Sequence, residues 1–175
     1  FLLKKSQTVF FKNLAIHAFS AFDKENWNIL KPVDGYINIA LFHGSITGCK
    51  TDSDWKLQGC EENVSFFKDY DFVLLGDIHK HQFLDYRKDK NGVDKPWIGY
   101  PGSLIQQNFG EEEEKGFLLW DITDRDDWDV SFIPLENKMP YITTKWHSDA
   151  ETTLNKLELQ RTGPLLKGSR LKVLS

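Results

Sequence analysis

Short apolar runs, separated by polar and glycine-containing stretches, recur along the chain and predict a protein built mainly of strands. Runs of this length, bounded by turn-forming residues, are typical of β-strands. Asn13 separates the first two runs and predicts a tight turn between them. The strands predicted in the first half are residues 8–13, 14–22, 36–42 and 72–75.

A β-loop-α-β unit is predicted between the third and fourth of these strands. Residues 45–59 are rich in Gly, Ser, Thr and Asp and indicate a long loop, and residues 61–70 carry apolar positions at helical spacing. Units of this kind place their two strands side by side and parallel, with a right-handed crossover.

The second half predicts an antiparallel meander followed by a β-α-β stretch. Turn signals separate the meander strands, which are residues 83–86, 97–100, 116–122 and 128–134. A strand at residues 141–146 then leads to an amphipathic helix that begins with a capping box at residues 148–151. Gly163 and Pro164 are predicted to close this helix, and residues 170–174 form the next strand.

Metal-ligand side chains follow both strands of the predicted parallel pair. His43 comes directly after one strand, and Asp77 and His79 follow the other. On an extended backbone Asp77 and His79 would share a face, and the carboxyl ends of parallel strands meet at one edge of a sheet. The sequence therefore predicts a metal site at this edge, with these three side chains converging on it.

Two other groups of polar residues carry ligand-type chemistry but are interpreted as structural. His17 lies inside an apolar run, where a core or sheet histidine is expected rather than a ligand. The four glutamates at residues 111–114 indicate a solvated charge run, because neighbouring carboxylates on a loop repel one another.

Composition places the chain among ordinary globular proteins of the cytoplasm. It has 175 residues, of which 40% are hydrophobic and 27% charged, and no run approaches a membrane span. Two cysteines without metal-type spacing indicate free thiols. The net charge is −4, but the residues from Lys138 onward include seven Lys or Arg and three Asp or Glu. This excess of positive charge fits either a phosphate-facing lobe or a chance distribution. The chain does not begin with Met, and we expect it to be a fragment of a longer protein.

Three further segments carry a recognisable pattern: residues 74–82 (LLGDIHKHQ), 100–111 (YPGSLIQQNFGE) and 115–121 (KGFLLWD). Together they resemble the nuclease subunit of the SbcCD-type DNA double-strand-break repair exonuclease, a calcineurin-like metallophosphoesterase, and in particular its phage and viral versions. The resemblance implies an α/β fold, part of a four-layer α-β-β-α sandwich. Residues 1–137 would be the C-terminal half of the nuclease domain, and residues 138–175 the start of a small α+β capping domain that faces DNA.

The resemblance also implies a site that holds two divalent metal ions, Mn²⁺ by preference and Mg²⁺ as the alternative. His43 matches the lone histidine of the fourth family motif, and Gly76-Asp77-Ile78-His79 matches the fifth. His43 and Asp77 would then serve one metal and His79 the other. Most members carry His where this chain has Asp77, so Asp77 either ligates directly or orients a ligand.

The remaining expectations concern substrate and partners. Lys80 and His81 would either approach a phosphate or form solvated surface, and Ser103 lies in a turn that either contacts substrate or only shapes the site. The implied partners are DNA, an SMC-like ATPase subunit and a second copy in a homodimer, in the host cytoplasm and without a membrane.

The first three family motifs (Asp-x-His, Gly-Asp-x-x-Asp and Gly-Asn-His-Asp) do not occur in this sequence. Three hypotheses therefore stay open. The chain is a fragment of a DNA nuclease, a fragment of a phosphoesterase that acts on nucleotides or phosphoproteins, or an inactive structural module.

Overall fold

Six strands form the main sheet in the computed structural model, which describes residues 4–160, 165 and 167–174. Their order across the sheet is β1-β2-β3-β4-β6-β5. The outer pairs β1–β2 and β5–β6 are antiparallel, and the inner pairs are parallel. The strands are β1 Gln7–Phe11, β2 Leu14–Phe19, β3 Ile37–His43, β4 Phe72–Gly76, β5 Gln82–Lys88 and β6 Asp94–Tyr100.

The second half adds two small sheets and a helix. The antiparallel pair of β7 (Lys115–Asp124) and β8 (Asp127–Leu135) forms one sheet, and the parallel pair of β9 (Tyr141–Lys145) and β10 (Arg170–Leu174) forms the other. Helix α1, Ala150–Gln160, connects the latter two strands. The fold is therefore mixed α/β, rich in strands and poor in helix. In the part of the chain described, no helix has the length and apolar character needed to cross a membrane.

The predicted parallel neighbours β3 and β4 are confirmed, with five register pairs from Ile39–Phe72 to His43–Gly76. The helix predicted before β4 is wrong, since only a short 3-10 turn, Val64–Phe67, forms there. The Asn63 side chain accepts from the Ser65 amide and starts that turn. The next residues include the consecutive aromatics Phe66 and Phe67, whose rings contact each other and the ring of Phe19 in the core. Aromatic residues lose rotamer freedom in a helix, which disfavours a longer helix here.

The predicted antiparallel meander is also wrong, because its four strands divide between two sheets. β5 and β6 form a hairpin inside the main sheet, where β6 pairs parallel with β4. β7 and β8 form a separate hairpin. Turn residues in the sequence predict each hairpin, but they do not predict which other strand the hairpin pairs with in a sheet.

The start of α1 differs by one residue from the predicted capping box. Asp149, rather than Ser148, accepts from the amide of Thr152 at 2.7 Å, so Asp149 is the N-cap. The Ser148 hydroxyl instead donates to the Asp149 carboxylate. The helix end predicted at Gly163 and Pro164 lies outside the described residues.

An aromatic core packs against one face of the main sheet. Phe19 and Phe42, paired across β2 and β3, meet at 6.3 Å between ring centroids. The rings around them approach edge to face, an arrangement that aromatic pairs prefer. They belong to Trp27, Phe66, Phe67 and Tyr70.

His17 lies on the same face and is fully buried, as expected for a structural histidine. Its ring nitrogens lie 2.9 Å from the Thr8 hydroxyl and 3.0 Å from the Asn38 side-chain oxygen. Because both nitrogens have partners inside the protein, the interpretation of His17 as a core residue is confirmed.

The opposite face of the sheet is covered only in part. Phe72 of β4 packs against Trp128 and Trp120 of the β7–β8 hairpin, at 5.4 and 6.1 Å between centroids. Farther along this face, Val9 and Leu41 remain 44% and 38% exposed. The sheet thus carries a buried aromatic side and a side with uncovered apolar positions.

Candidate metal centre

The carboxyl ends of β3 and β4 bring His43 and Asp77 together. His43 is opposite Gly76 in the register, so the residue after β4 lies beside the histidine ring. His43 Nε2 lies 3.9 Å from Asp77 Oδ1, and the Ser45 hydroxyl donates to Asp77 Oδ2 at 3.1 Å. Both side chains are open to solvent, with 73% and 45% of their surfaces exposed. An imidazole and a carboxylate therefore stand side by side at the rim of the sheet.

Gly76 leaves the space in which the His43 ring lies. A Cβ atom added at this glycine would approach His43 Nδ1 to 2.7 Å, which is closer than such atoms come in proteins. The glycine that ends β4 therefore sets the position of the histidine that ends β3.

Asp77 has a left-handed backbone, with φ of 95°, which is a strained conformation for a residue with a side chain. Such strain persists where the surrounding structure imposes it, and it concentrates at functional sites. It also corrects the expectation that Asp77 and His79 lie two apart on an extended strand. The strand ends at Gly76, and the chain turns at Asp77.

His79 is held at both its ring and its backbone by residues other than His43 and Asp77. His79 Nδ1 lies 3.1 Å from Oε1 of Glu111, whose side chain is only 2% exposed. The His79 carbonyl oxygen accepts from the amide of Ser103 and from Nζ of Lys115, each at 3.2 Å.

The segment after β6 packs directly on this loop. Gly102 has φ of 80°, and a Cβ atom there would come within 2.8 Å of the His79 carbonyl oxygen and 3.0 Å of the His81 amide nitrogen. A glycine is therefore required for this approach. The expectation that residues 100–103 shape a turn beside the site agrees with this packing.

Tyr100 ties the loop of His43 to β6. Its buried hydroxyl donates to the Gly44 carbonyl at 2.7 Å and accepts from the Ile46 amide at 3.1 Å. Both groups belong to the segment immediately after His43, so β6 supports the loop on the β3 side as well as the loop on the β4 side.

The predicted substrate contacts Lys80 and His81 have partners within the protein. Lys80 Nζ forms ion pairs with Glu112 at 2.6 Å and Asp54 at 3.2 Å, and the contact with Glu112 raises the pKa of Lys80. The His81 ring stacks on Phe132 at 4.3 Å, and burial lowers its pKa. His81 Nε2 is buried without a hydrogen-bond partner among the described residues.

Glu111 is the functional candidate that the sequence interpretation missed. Residues 112–114 are exposed, as a solvated run should be, but Glu111 is 7% exposed and lies at the centre of a polar cluster. Only Lys115, four residues later, is a local sign of this difference. The partner that matters, His79, is 32 residues away in the sequence.

The donor set of His43 and Asp77 fits a divalent cation. Metal bonds to nitrogen and oxygen ligands are about 2.0–2.2 Å, so two ligands of one ion lie at most about 4.3 Å apart. The observed 3.9 Å falls within this limit. Within the described residues, however, no three His, Cys, Asp or Glu side chains form a group that could hold an ion. His79 therefore does not join the pair, and the expected convergence of all three ligands is not seen.

Two viral proteins are similar to this chain, and no family model matches it. The chain is 33% identical over 156 residues to "Uncharacterized protein R555" of Acanthamoeba polyphaga mimivirus, which covers 83% of the chain and 11% of that protein. It is 33% identical over 104 residues to "Putative phosphoesterase 244L" of Invertebrate iridescent virus 6, which covers 59% of the chain and 29% of that protein. The chain thus spans a small part of the length of these curated relatives, and one of them carries the name of a phosphoesterase.

Proposed function

We propose that this chain is part of a metal-dependent DNA nuclease that hydrolyses phosphodiester bonds at the rim formed by β3 and β4. The observation that carries the proposal is the pairing of His43 and Asp77 at the adjacent carboxyl ends of two parallel strands. The strained backbone of Asp77 and the phosphoesterase name of one viral relative support it.

His43 Nε2 and the Asp77 carboxylate would hold one divalent cation, and His79 would contribute to a second. The expected cations are Mn²⁺ by preference and Mg²⁺ as the alternative, and such ions, when bound, would supply Lewis-acid polarisation of a phosphate and activation of a water nucleophile. Both imidazoles must be neutral to ligate, so acid weakens the site. Asp77 supplies a hard oxygen ligand, which favours these ions over softer ones.

Substrate and partners complete the proposal. DNA would approach over Lys80, His81 and Ser103, and the Lys80 ammonium would exchange one of its two carboxylate partners for a phosphate. An SMC-like ATPase would be the partner protein, a second copy would form a homodimer, and the site of action would be the host cytoplasm.

The parent protein would form a four-layer metallophosphoesterase sandwich. A second sheet would cover the apolar positions around Val9 and Leu41, which the described residues leave exposed. Residues 1–137 would belong to the nuclease domain and residues 138–175 to the capping domain, whose sequence carries the excess of basic residues.

The test is nuclease activity of the parent protein on linear DNA with Mn²⁺, for the wild type and for His79→Ala. We expect the variant to lose at least about 100-fold in rate, because the second metal loses a ligand. His147→Ala is the matched control, since His147 lies before α1 and its ring contacts Lys156. Unchanged DNA cleavage by His79→Ala would refute the proposal.

A phosphoesterase that acts on nucleotides or phosphoproteins is the second candidate, because the name of the viral relative specifies no nucleic acid. Comparing hydrolysis of linear DNA with that of a small phosphoester separates the two. For the 175-residue chain by itself we expect weak Mn²⁺ binding and no turnover, since its described residues include no group of three ligands. Turnover by the purified chain would contradict this expectation.

A further inference from the structure

Glu111 is a buried carboxylate in contact with a predicted metal ligand, although it lies outside the motifs that define the site. Its side chain is 2% exposed, whereas the His79 ring above it is 40% exposed. A buried charge is costly unless hydrogen bonds and an opposite charge compensate it. The contacts of Glu111 therefore decide what it does.

Five groups surround the Glu111 carboxylate and satisfy both of its oxygens. They are His79 Nδ1 and Asn108 Nδ2 on Oε1, and the Ser103 hydroxyl, the Gln107 amide and Lys115 Nζ on Oε2. With its lone pairs used in this way, Glu111 has little capacity left to ligate a metal.

The other four groups on the Glu111 carboxylate are all hydrogen-bond donors, and one of them is an ammonium. That ammonium belongs to Lys115, which is itself buried, lies 3.0 Å from Oε2 and also contacts Asp52 at 3.5 Å. A carboxylate paired with an ammonium only accepts hydrogen bonds. In the contact at 3.1 Å, His79 Nδ1 must therefore be the donor.

We infer that Glu111 is a positioning residue that holds His79 as the Nδ1–H tautomer and so presents Nε2 with a free lone pair as the ligand atom. This inference rests on the proposed role of His79 as a metal ligand. Carboxylates that accept from the second nitrogen of a ligating histidine fix both the tautomer and the ring orientation. Ser103 and Lys115, which contact the Glu111 carboxylate, also donate to the His79 carbonyl and so hold the backbone of the same residue.

The first test is the tautomer of His79 without metal, measured by two-bond ¹⁵N–¹H correlation spectra in mildly alkaline solution, where imidazoles are neutral. We expect the Nδ1–H form to predominate in the wild type, with the signal assigned by its loss in His79→Gln. In Glu111→Gln the side-chain amide can both donate and accept, so the Nε2–H form should become populated. A wild-type His79 chiefly in the Nε2–H form overturns the inference, even if the variant fails to fold.

The second test is Mn²⁺ affinity of the parent protein, measured by electron paramagnetic resonance of the free ion. We expect Glu111→Gln to bind about 10–100-fold more weakly than the wild type. Glu114→Gln makes the same chemical change on the same loop at an exposed position and should bind like the wild type. Equal affinities of the two variants would overturn the inference.

The two tests separate failure of this inference from failure of the proposed function. A wild type that binds Mn²⁺ normally but shows no fixed His79 tautomer overturns the role of Glu111 and leaves the proposed function intact. A wild type that binds no Mn²⁺ overturns the proposed function. It also overturns the role of His79 as a metal ligand, on which the inference about Glu111 rests.

Discussion

Single residues without side chains set the positions of the two histidines. Gly76 makes room for the His43 ring, and Gly102 lets the chain after β6 approach the backbone of His79 and His81. The chemistry of the site therefore depends on two positions that contribute no functional group. The reason for a glycine at such a position is visible only when the residue packed against it is known.

Replacing Gly76 by Ala should displace His43 with little loss of stability. The new Cβ would meet His43 Nδ1 at 2.7 Å, but the exposed histidine side chain can swing away. We expect Mn²⁺ affinity to fall on the order of 10-fold, while the free energy of unfolding changes by less than about 1 kcal/mol. Metal titration and urea denaturation measure the two quantities, with His43→Ala as the reference for complete loss of the ligand. Wild-type affinity in Gly76→Ala would contradict the packing described.

His17 should make the stability of the protein sensitive to acid. Burial lowers its pKa in the folded state, so the unfolded state takes up the proton first. Its contribution is therefore present above the unfolded pKa of about 6.5 and is lost as the pH falls through the folded value. Urea denaturation at several pH values should show a weaker loss of stability in acid for His17→Gln than for the wild type.

The pKa of His81 is lowered in the same way, so His17→Gln should reduce this dependence without removing it. Parallel stability curves for the wild type and His17→Gln would contradict the assignment. Such curves would mean that His17 has the same pKa in the folded and the unfolded state.

At the scale of elements, the candidate metal ligands lie at the carboxyl ends of strands. β3 ends at His43, and β4 ends at Gly76 just before the strained Asp77. β6 then supports both loops through the Tyr100 hydroxyl and the backbone approach at Gly102. The parallel neighbours β3, β4 and β6 therefore form one rim of the sheet. The candidate ligands follow β3 and β4, and β6 contacts the loops that carry them.

Helix α1 provides a test at this scale, because its N-cap is Asp149 and not Ser148. Replacing Asp149 by Ala removes the acceptor of the Thr152 amide, and we expect hydrogen exchange in the first helical turn to accelerate several-fold. Ser148→Ala removes only a hydroxyl that donates to Asp149 and should leave exchange nearly unchanged. Equal acceleration in the two variants would mean that both residues cap the helix.

At the scale of the whole molecule, one buried glutamine joins the last β-α-β stretch to the rest. Gln106 accepts from the Tyr141 amide and donates to the Tyr141 carbonyl, at 2.9 and 3.1 Å. It also donates to the Glu111 carbonyl and accepts from Asn137. The loop that carries Glu111 is thus connected both to His79 and to the start of β9.

Replacing Gln106 by Ala should loosen this connection. It leaves the partly buried amide and carbonyl of Tyr141 without their partner. An unsatisfied group costs about 1–3 kcal/mol when it is fully buried, which sets the upper limit here. We expect faster proteolysis between residues 137 and 141 and a lower free energy of unfolding. Gln107→Ala, at an exposed neighbouring position, should change stability by less than about 0.5 kcal/mol. Equal protection in the two variants would contradict the role of Gln106.

The sequence alone determined the positions of the strands, the parallel pairing of β3 with β4, and the presence of ligand-type residues where those strands end. The strand positions follow from local periodicity, and the parallel pairing follows from the long connection between β3 and β4, which suits a crossover rather than a hairpin even though the predicted helix does not form there. The buried role of His17 follows from the same periodicity.

Only the tertiary structure decided which side chains meet. It paired His79 with Glu111 and Lys80 with Glu112, each across 32 residues, and among the described residues it formed no group of three metal ligands. It also turned the backbone at Asp77 and divided the predicted meander between two sheets. Such outcomes depend on burial and charge compensation between distant segments, which neighbours in the sequence do not encode.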